Sequence, residues 1–447
     1  MDDNPDMAQA SDGASVPGAA DLTMSGWQRF REDWFTRTFR SLRHRNYRLY
    51  FFGQLISLTG TWMQNAALAL LAFQLTDRSL WPGLVSACQF LPTFLFGLWG
   101  GWLADRWPKR TLLICTQSLL LVLALVLTSI VMADAATPWI LVAISLLNGL
   151  VLAADLPGRL AFVMDMVGRE DLINAVALNS VLFNTARIIG PMVAGIFLIT
   201  WGLAACFFAN ALSYVAVVWA LWQMDVGLTP AAIHGRHRGS IRAGLGYLME
   251  RPRLAALTAV AGILAVCAWP VLPLLPGLSK RVLAAGPLGY TSMLTAVGVG
   301  ALTAAATVAR SASVARQRIF IGGGLCCVTA ALIGLACATH LWQALIFCVT
   351  LGFGLIMYLS TSQGIVQLGA AEHNRGLIMG IWAMVQSGGL PLGNLVAGDA
   401  ADRFGEARTL QTCAWISGIS ALVLVLGFSR DGEPKAGASG PSSTAEP

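Results

Sequence analysis

Twelve stretches of about 20 or more mostly apolar residues, parted by short polar breaks, make up most of this 447-residue chain. A bilayer core takes about 20 such residues as one α-helix, and in lipid only helices or closed barrels satisfy every backbone group. Stretches this long are spanning helices, not barrel strands. They fall near 49–74, 81–104, 111–132, 138–160, 173–199, 203–224, 253–276, 289–310, 319–339, 342–367, 376–398 and 409–428. Stretches 5, 8 and 11 are the most polar. At 12% charged residues, the chain carries about half the charge of a soluble domain. The reading is an all-α membrane protein.

Basic residues fix an orientation, because they stay on the cytoplasmic side. With both termini inside, 23 of the 29 Lys and Arg fall on cytoplasmic segments, 5 fall outside, and Arg187 stands within span 5. That placement explains the net charge of +6 without nucleic acid. Flanking segments divide further. Residues 1–24 are small and acidic, the composition of a disordered segment. Residues 25–45 interleave Trp27, Phe30 and Trp34 with arginines, as in an amphipathic helix at an anionic lipid surface. Two bundles, 46–224 and 253–429, flank a polar cytoplasmic linker at 225–252, and 430–447 is a disordered cytoplasmic tail. The protein is read as a monomer.

Several chemistries are excluded. The three lysines, 109, 280 and 435, follow Pro or Ser, so no Gly-Lys-Ser/Thr phosphate loop exists. Nine cysteines show no Cys-x-x-Cys, and His234-x-x-His237 lies in an Arg-rich linker. An enzyme, a metal and a cofactor are all unsupported.

Charges inside a bilayer are expensive and mark function by default. Outside the loops these are Asp155 and Arg159 on span 4 and Arg187 on span 5. Asp155 and Arg159, four residues apart, share a helix face. They form either a local ion pair or a proton-coupling site. Arg187, some 20 Å along its helix at 1.5 Å per residue, either faces a cavity or anchors the helix. Uncharged polar residues at mid-depth are Thr61, Gln64, Asn65, Asn148, Asn184, Tyr358 and Gln363. Trp269-Pro270-x-x-Pro273-x-x-Pro276 interrupts span 7, either as part of a gate or as a helix terminus. The two halves read as diverged copies, an arrangement that places a substrate site between them.

Gly101-x-Leu103-Ala104-Asp105-Arg106-x-x-Lys109-Arg110 resembles the 2–3 loop of major facilitator superfamily transporters, with Pro108 where that family usually has Gly. Asp155-Leu-Pro157-Gly-Arg159, Val167-Gly-Arg169-Glu170-Asp171 and Phe183-Asn184-x-Ala186-Arg187-x-x-Gly190-Pro191 resemble its twelve-helix drug/proton antiporter subfamily. The resemblance implies two pseudo-symmetric six-helix bundles, with spans 1, 4, 7 and 10 lining the cavity. It implies a cytoplasmic latch of Gly101, Asp105, Arg106 and Arg110, and an export-associated motif at Gly190-Pro191 in which Ala186 replaces a Gly. The arginine that many proton antiporters carry on span 4 falls near Ser145, which leaves Asp155 as the candidate carrier. The function so implied is that of a secondary exporter of a small amphipathic molecule, siderophore-like or drug-like, in a bacterial inner membrane. It works by alternating access with proton antiport. The alternatives are a lysophospholipid transporter of the same fold, moving membrane lipid, or a nutrient importer.

Overall fold

The computed structural model describes residues 40–224, 241–310, 314–371 and 374–430. The acidic segment 1–24, most of the amphipathic stretch 25–45, linker residues 225–240 and the tail from 431 lie outside the described residues. Twelve long helices follow one another: α1 Arg45–Thr76, α2 Leu80–Arg106, α3 Lys109–Met132, α4 Pro138–Gly168, α5 Glu170–Thr200 and α6 Gly202–Gln223. After a short linker helix, Ile241–Met249, come α7 Pro252–Val282, α8 Gly286–Ala309, α9 Val314–Cys337, α10 Leu341–Gly369, α11 Arg375–Phe404 and α12 Glu406–Arg430. No strand occurs among the described residues.

Eleven of these helices are long and apolar enough to cross a membrane. The exception, α11, has 30 residues but is diluted by glycines and by Gln386, Ser387, Asn394, Asp399 and Asp402. Helices α4 and α5 run almost end to end. Gly168 turns the chain between them at φ +69°, a left-handed conformation that L side chains resist. Helix α7 is broken into Pro252–Cys267 and Val271–Gly277, with Trp269 and Pro270 in the gap.

Small residues allow the close approaches. Gly100 of α2 lies on the Ala153 carbonyl of α4, and Gly190 of α5 packs on Thr59, Trp62 and Met63 of α1. Gly300 of α8 and Gly352 of α10 lie against one another's helices. Such contacts substitute for a hydrophobic driving force between helices in lipid. Gly97 and Gly101 behave otherwise: a Cβ at either would meet nothing within 4 Å. They sit three and seven residues past Phe94, at the spacing that keeps all three on one face of α2.

Within each half the helices pack on one another, and the halves meet along two seams. On one, Gly83 and Leu80 of α2 touch Asn394 and Gly398 of α11. On the other, Gly195 and Ile188 of α5 touch Thr291 and Gly298 of α8. The face carrying the linker helix and the ends near residues 40 and 430 is called the terminal face here, and the opposite one the distal face.

Candidate transport pathway

At the distal face the two halves are tied by charge. Asp402 of α11 accepts from the backbone N–H of Ser79 at 2.6 Å and of Leu80 at 3.1 Å, and from Arg78 Nε at 3.3 Å. Ser79 does not cap its own helix. It donates its hydroxyl instead to Glu406 at 3.0 Å, and Glu406 also takes Arg281 Nη1 at 2.7 Å. Lys280 Nζ reaches Asp77 at 2.8 Å, and Arg281 donates to the Asp77 carbonyl. The side chains of Asp402 and Glu406 are buried while Asp77 stays exposed. The Lys280 ammonium holds the Asp77 carboxyl below its ordinary value.

The terminal face differs. Past Phe94, which packs on Gly388, the facing positions Gly97 and Gly101 of α2 and Gly380 and Gly376 of α11 have open space around them. Among the described residues, no ion pair joins the halves there. Asp105 is exposed and has no ion-pair partner among the described residues, Arg106 lies over the Trp102 ring at 4.2 Å, and Arg110 donates to the Leu221 and Trp222 carbonyls at 2.8 and 2.9 Å. The residues of the expected latch therefore all keep within their own half. The halves are thus tied at the distal face, and open space surrounds the glycines of α2 and α11 toward the terminal one.

Between the faces lies Arg187. Its guanidinium carbon stands 5.1 Å from the ring centre of Trp62, 5.3 Å from Phe183 and 5.2 Å from Trp269. Trp62 is on α1 and Phe183 one turn earlier on α5, but Trp269 belongs to the other half. Arg187 Nε is buried without a hydrogen-bond partner, and among the described residues no carboxylate pairs with the side chain. A cation held by three ring faces in an apolar setting is attracted to each by the ring quadrupole.

Asp155 and Arg159 sit apart, inside the first half. Asp155 is buried, Arg159 is half-buried, and the two form an ion pair. Asp155 Oδ1 also accepts from Thr116 Oγ1 at 2.7 Å and Gln117 Nε2 at 2.8 Å, and Arg159 Nη1 donates to Gln54 at 2.9 Å. Charges held inside a bundle need such partners to offset the cost of desolvation.

The uncharged candidates are spread more widely. Gln64 accepts from Asn210 at 2.7 Å, Asn65 accepts from Gln89 at 3.2 Å, and the Thr61 hydroxyl meets Tyr214 at 3.2 Å. Tyr358 is buried and donates to the Leu257 carbonyl at 2.8 Å. Asn148 is buried, Gln363 is exposed, and Asn184 bonds back to the Ser180 carbonyl at 2.8 Å. Pro191 is buried beside Gly190 on α1. Only Arg187 and Trp269 of these are brought together across the halves. Sequence reasoning missed Trp62 and Phe183 as ring walls, although Phe183 lies one helical turn from Arg187. It also missed the distal carboxylates Asp402 and Glu406, which meet Ser79 more than 300 residues away.

Two six-helix halves around a central pathway closed at one face define a major facilitator superfamily transporter, not an enzyme. The chain belongs to the transmembrane secretion effector family, whose profile matches residues 36–439. It is 23% identical over 387 residues to the staphyloferrin A transporter of Staphylococcus aureus, covering 85% of this chain and 94% of that one. It is also 23% identical over 408 residues to the enterobactin exporter of Escherichia coli, covering 88% and 93%. Among solved structures, the nucleoside transporter NupG superposes with a TM-score of 0.69 at 12% identity, covering 86% of this chain and 99% of that one. An inward-facing, unoccupied bacterial homologue of the lysosomal transporter Spinster gives 0.68 at 13% identity, covering 88% and 99%. At such identities the structures speak to the fold alone.

Proposed function

We propose that this protein exports a small amphipathic organic molecule, siderophore-like in character, across a bacterial inner membrane. The excess of basic residues at the terminal face supports a cytoplasmic assignment for it. The pathway then stands open to the cytoplasm and sealed outside, ready to load cargo for export. The carrying observation is the pairing of that seal with a half-buried arginine between the halves. Two relatives that transport siderophores support the substrate class.

Export proceeds by alternating access. The distal ion pairs part as the terminal halves of α2 and α11 close, which brings Asp105, Arg106 and Arg110 towards the other half. Proton antiport supplies the energy, with Asp155 as carrier: protonation removes its charge, frees Arg159 and loosens the contacts among α1, α3 and α4. The test uses labelled siderophore and inside-out vesicles. Uptake should follow an imposed pH gradient, and Asp155→Asn should abolish that response. Uptake indifferent to both removes proton coupling, and no uptake removes the exporter.

A second reading, transport of lysophospholipid, draws on one observation. An apolar cleft of about 350 Å³ lies between α2 and α11, lined by Leu91, Phe94, Met384, Val385, Pro391 and Leu392. Competition by lysophospholipid in the same vesicles separates the two.

A further inference from the structure

We propose that Arg187 receives an oxyanion of the exported molecule, and that the arriving anion draws the guanidinium from Trp269 and so loosens the distal seal. The proposal rests on the exporter reading above and names the chemical class of its cargo: an organic anion with a carboxylate or similar group beside a flat apolar body.

The charge balance points to an anion. Arg187 has five N–H donors, and ring faces accept none of them in the planar, bidentate manner of a carboxylate. Its Nε is buried and unpartnered. The described acid nearest in kind, Asp155, is committed to Arg159, Thr116 and Gln117. The distal acids Asp77, Asp402 and Glu406 are committed to the seal. A carboxylate on the cargo is thus the partner this guanidinium lacks. The walls that remain, Trp62 and Phe183, suit an aromatic or otherwise flat neighbour of that carboxylate.

Position makes the same contact a coupling device. Arg187 is on the seam, where its carbonyl and Ile188 pack on Gly298 of α8. Trp269 is at the break in α7, and the segment just beyond it carries Lys280 and Arg281. Those two hold Asp77 and Glu406 in the distal seal. A ligand shifts a conformational equilibrium only by binding the two states unequally. Here the inequality is explicit: Trp269 shares the guanidinium while the seal is shut, and the oxyanion takes its place once Trp269 withdraws, with Trp62 and Phe183 still beside it.

The test uses the full-length protein in lipid nanodiscs, with labelled 2-naphthoate and its uncharged amide, 2-naphthamide, as probes. Spin labels at Met132 and Trp342, exposed on the distal ends of opposite halves, report the seal. Naphthoate should bind and lengthen the label distance, whereas naphthamide should leave it unchanged. Arg187→Gln should weaken naphthoate at least tenfold, change naphthamide less than twofold and abolish the distance response. Arg187→Lys, which keeps the charge but loses the fork, should fall between. Trp269→Leu should show the longer distance without ligand. Failure of the wild-type protein to bind naphthoate, or equal binding by Arg187→Gln, overturns the receptor. Anion binding that leaves the distance unmoved overturns the coupling. Export intact in Arg187→Gln overturns the receptor while the exporter reading stands. Arg187-dependent binding without export in any vesicle assay sinks the exporter reading alone.

Discussion

The carboxylate of Asp402 accepts the Ser79 backbone N–H at 2.6 Å, so the N-terminus of α2 is capped by a residue of the opposite half. The Leu80 N–H, at 3.1 Å, completes the cap. An anion at a helix N-terminus satisfies orphan donors and meets the positive end of the dipole. Capping across a moving interface ties that stabilisation to one conformational state. Removing a capping carboxylate costs about 1 kcal/mol, close to a fivefold change in an equilibrium. Asp402→Ala should therefore raise the population with the distal face open about fivefold. A cysteine at Ala87, buried on the same face of α2 as Gly83, then reacts faster with an impermeant maleimide added from the distal side. An unchanged labelling rate would show that the cap contributes nothing to closure.

Asp77 makes a prediction about pH. Its carboxyl is held below the ordinary range, first by the hydrogen bond from Lys280. A depressed carboxyl stabilises the paired state above its ordinary pKa of about 3.9, and that contribution fades only as pH falls through the lowered value. The Asp77–Lys280 contact should hold from pH 8 down to 5, with loss confined to pH below about 4. A mildly acidic exterior cannot open the seal at this pair. The measurement is a pH series of distal label distances in wild type and Lys280→Gln. A Lys280-dependent transition near pH 6 would contradict the assignment.

Asp155 and Arg159 lead to a double-mutant comparison. Breaking a buried ion pair on one side leaves the other charge uncompensated and costs about 3–5 kcal/mol, whereas replacing both with apolar residues is often close to neutral. Asp155→Leu and Arg159→Leu should each lower the melting temperature in detergent by many degrees. The double variant should recover most of the loss and remain without a pH-gradient response. Additive destabilisation would mean that the pair is not a unit.

Much of this arrangement is legible from residue order alone. Apolar runs mark the helices because lipid leaves the backbone no alternative, and even α11, too polar to qualify by hydropathy, keeps the required length. Arg187 stands out because a charge at that depth calls for an explanation. Its surroundings do not, since Trp62, Phe183 and Trp269 read as ordinary apolar residues until three helices converge. Thr61, Gln64 and Tyr358 show the reverse. Their polarity suggests a cavity, and their hydrogen bonds go to Tyr214, Asn210 and Leu257 inside their own halves. The distal seal is the least visible, for loop acids and bases carry no periodicity that pairs position 79 with 402.

Gly100 and Gly101 are neighbours with opposite predicted behaviour. A side chain at Gly100 would run into the Ala153 carbonyl and Ala154 of α4, and that backbone has no room to retreat. Overpacking of this kind costs about 1–3 kcal/mol or more. Gly100→Leu should therefore cut the yield and melting temperature of the folded protein. A side chain at Gly101 meets nothing, because α2 and α11 have separated at this end. Gly101→Leu should fold normally and bind cargo from the terminal side. It should still fail to transport, because the added side chain obstructs closure of α2 on α11. Melting temperature, ligand binding and vesicle transport on the two variants separate the effects. Full transport by Gly101→Leu would show that these glycines never come into contact with the opposite half during the cycle.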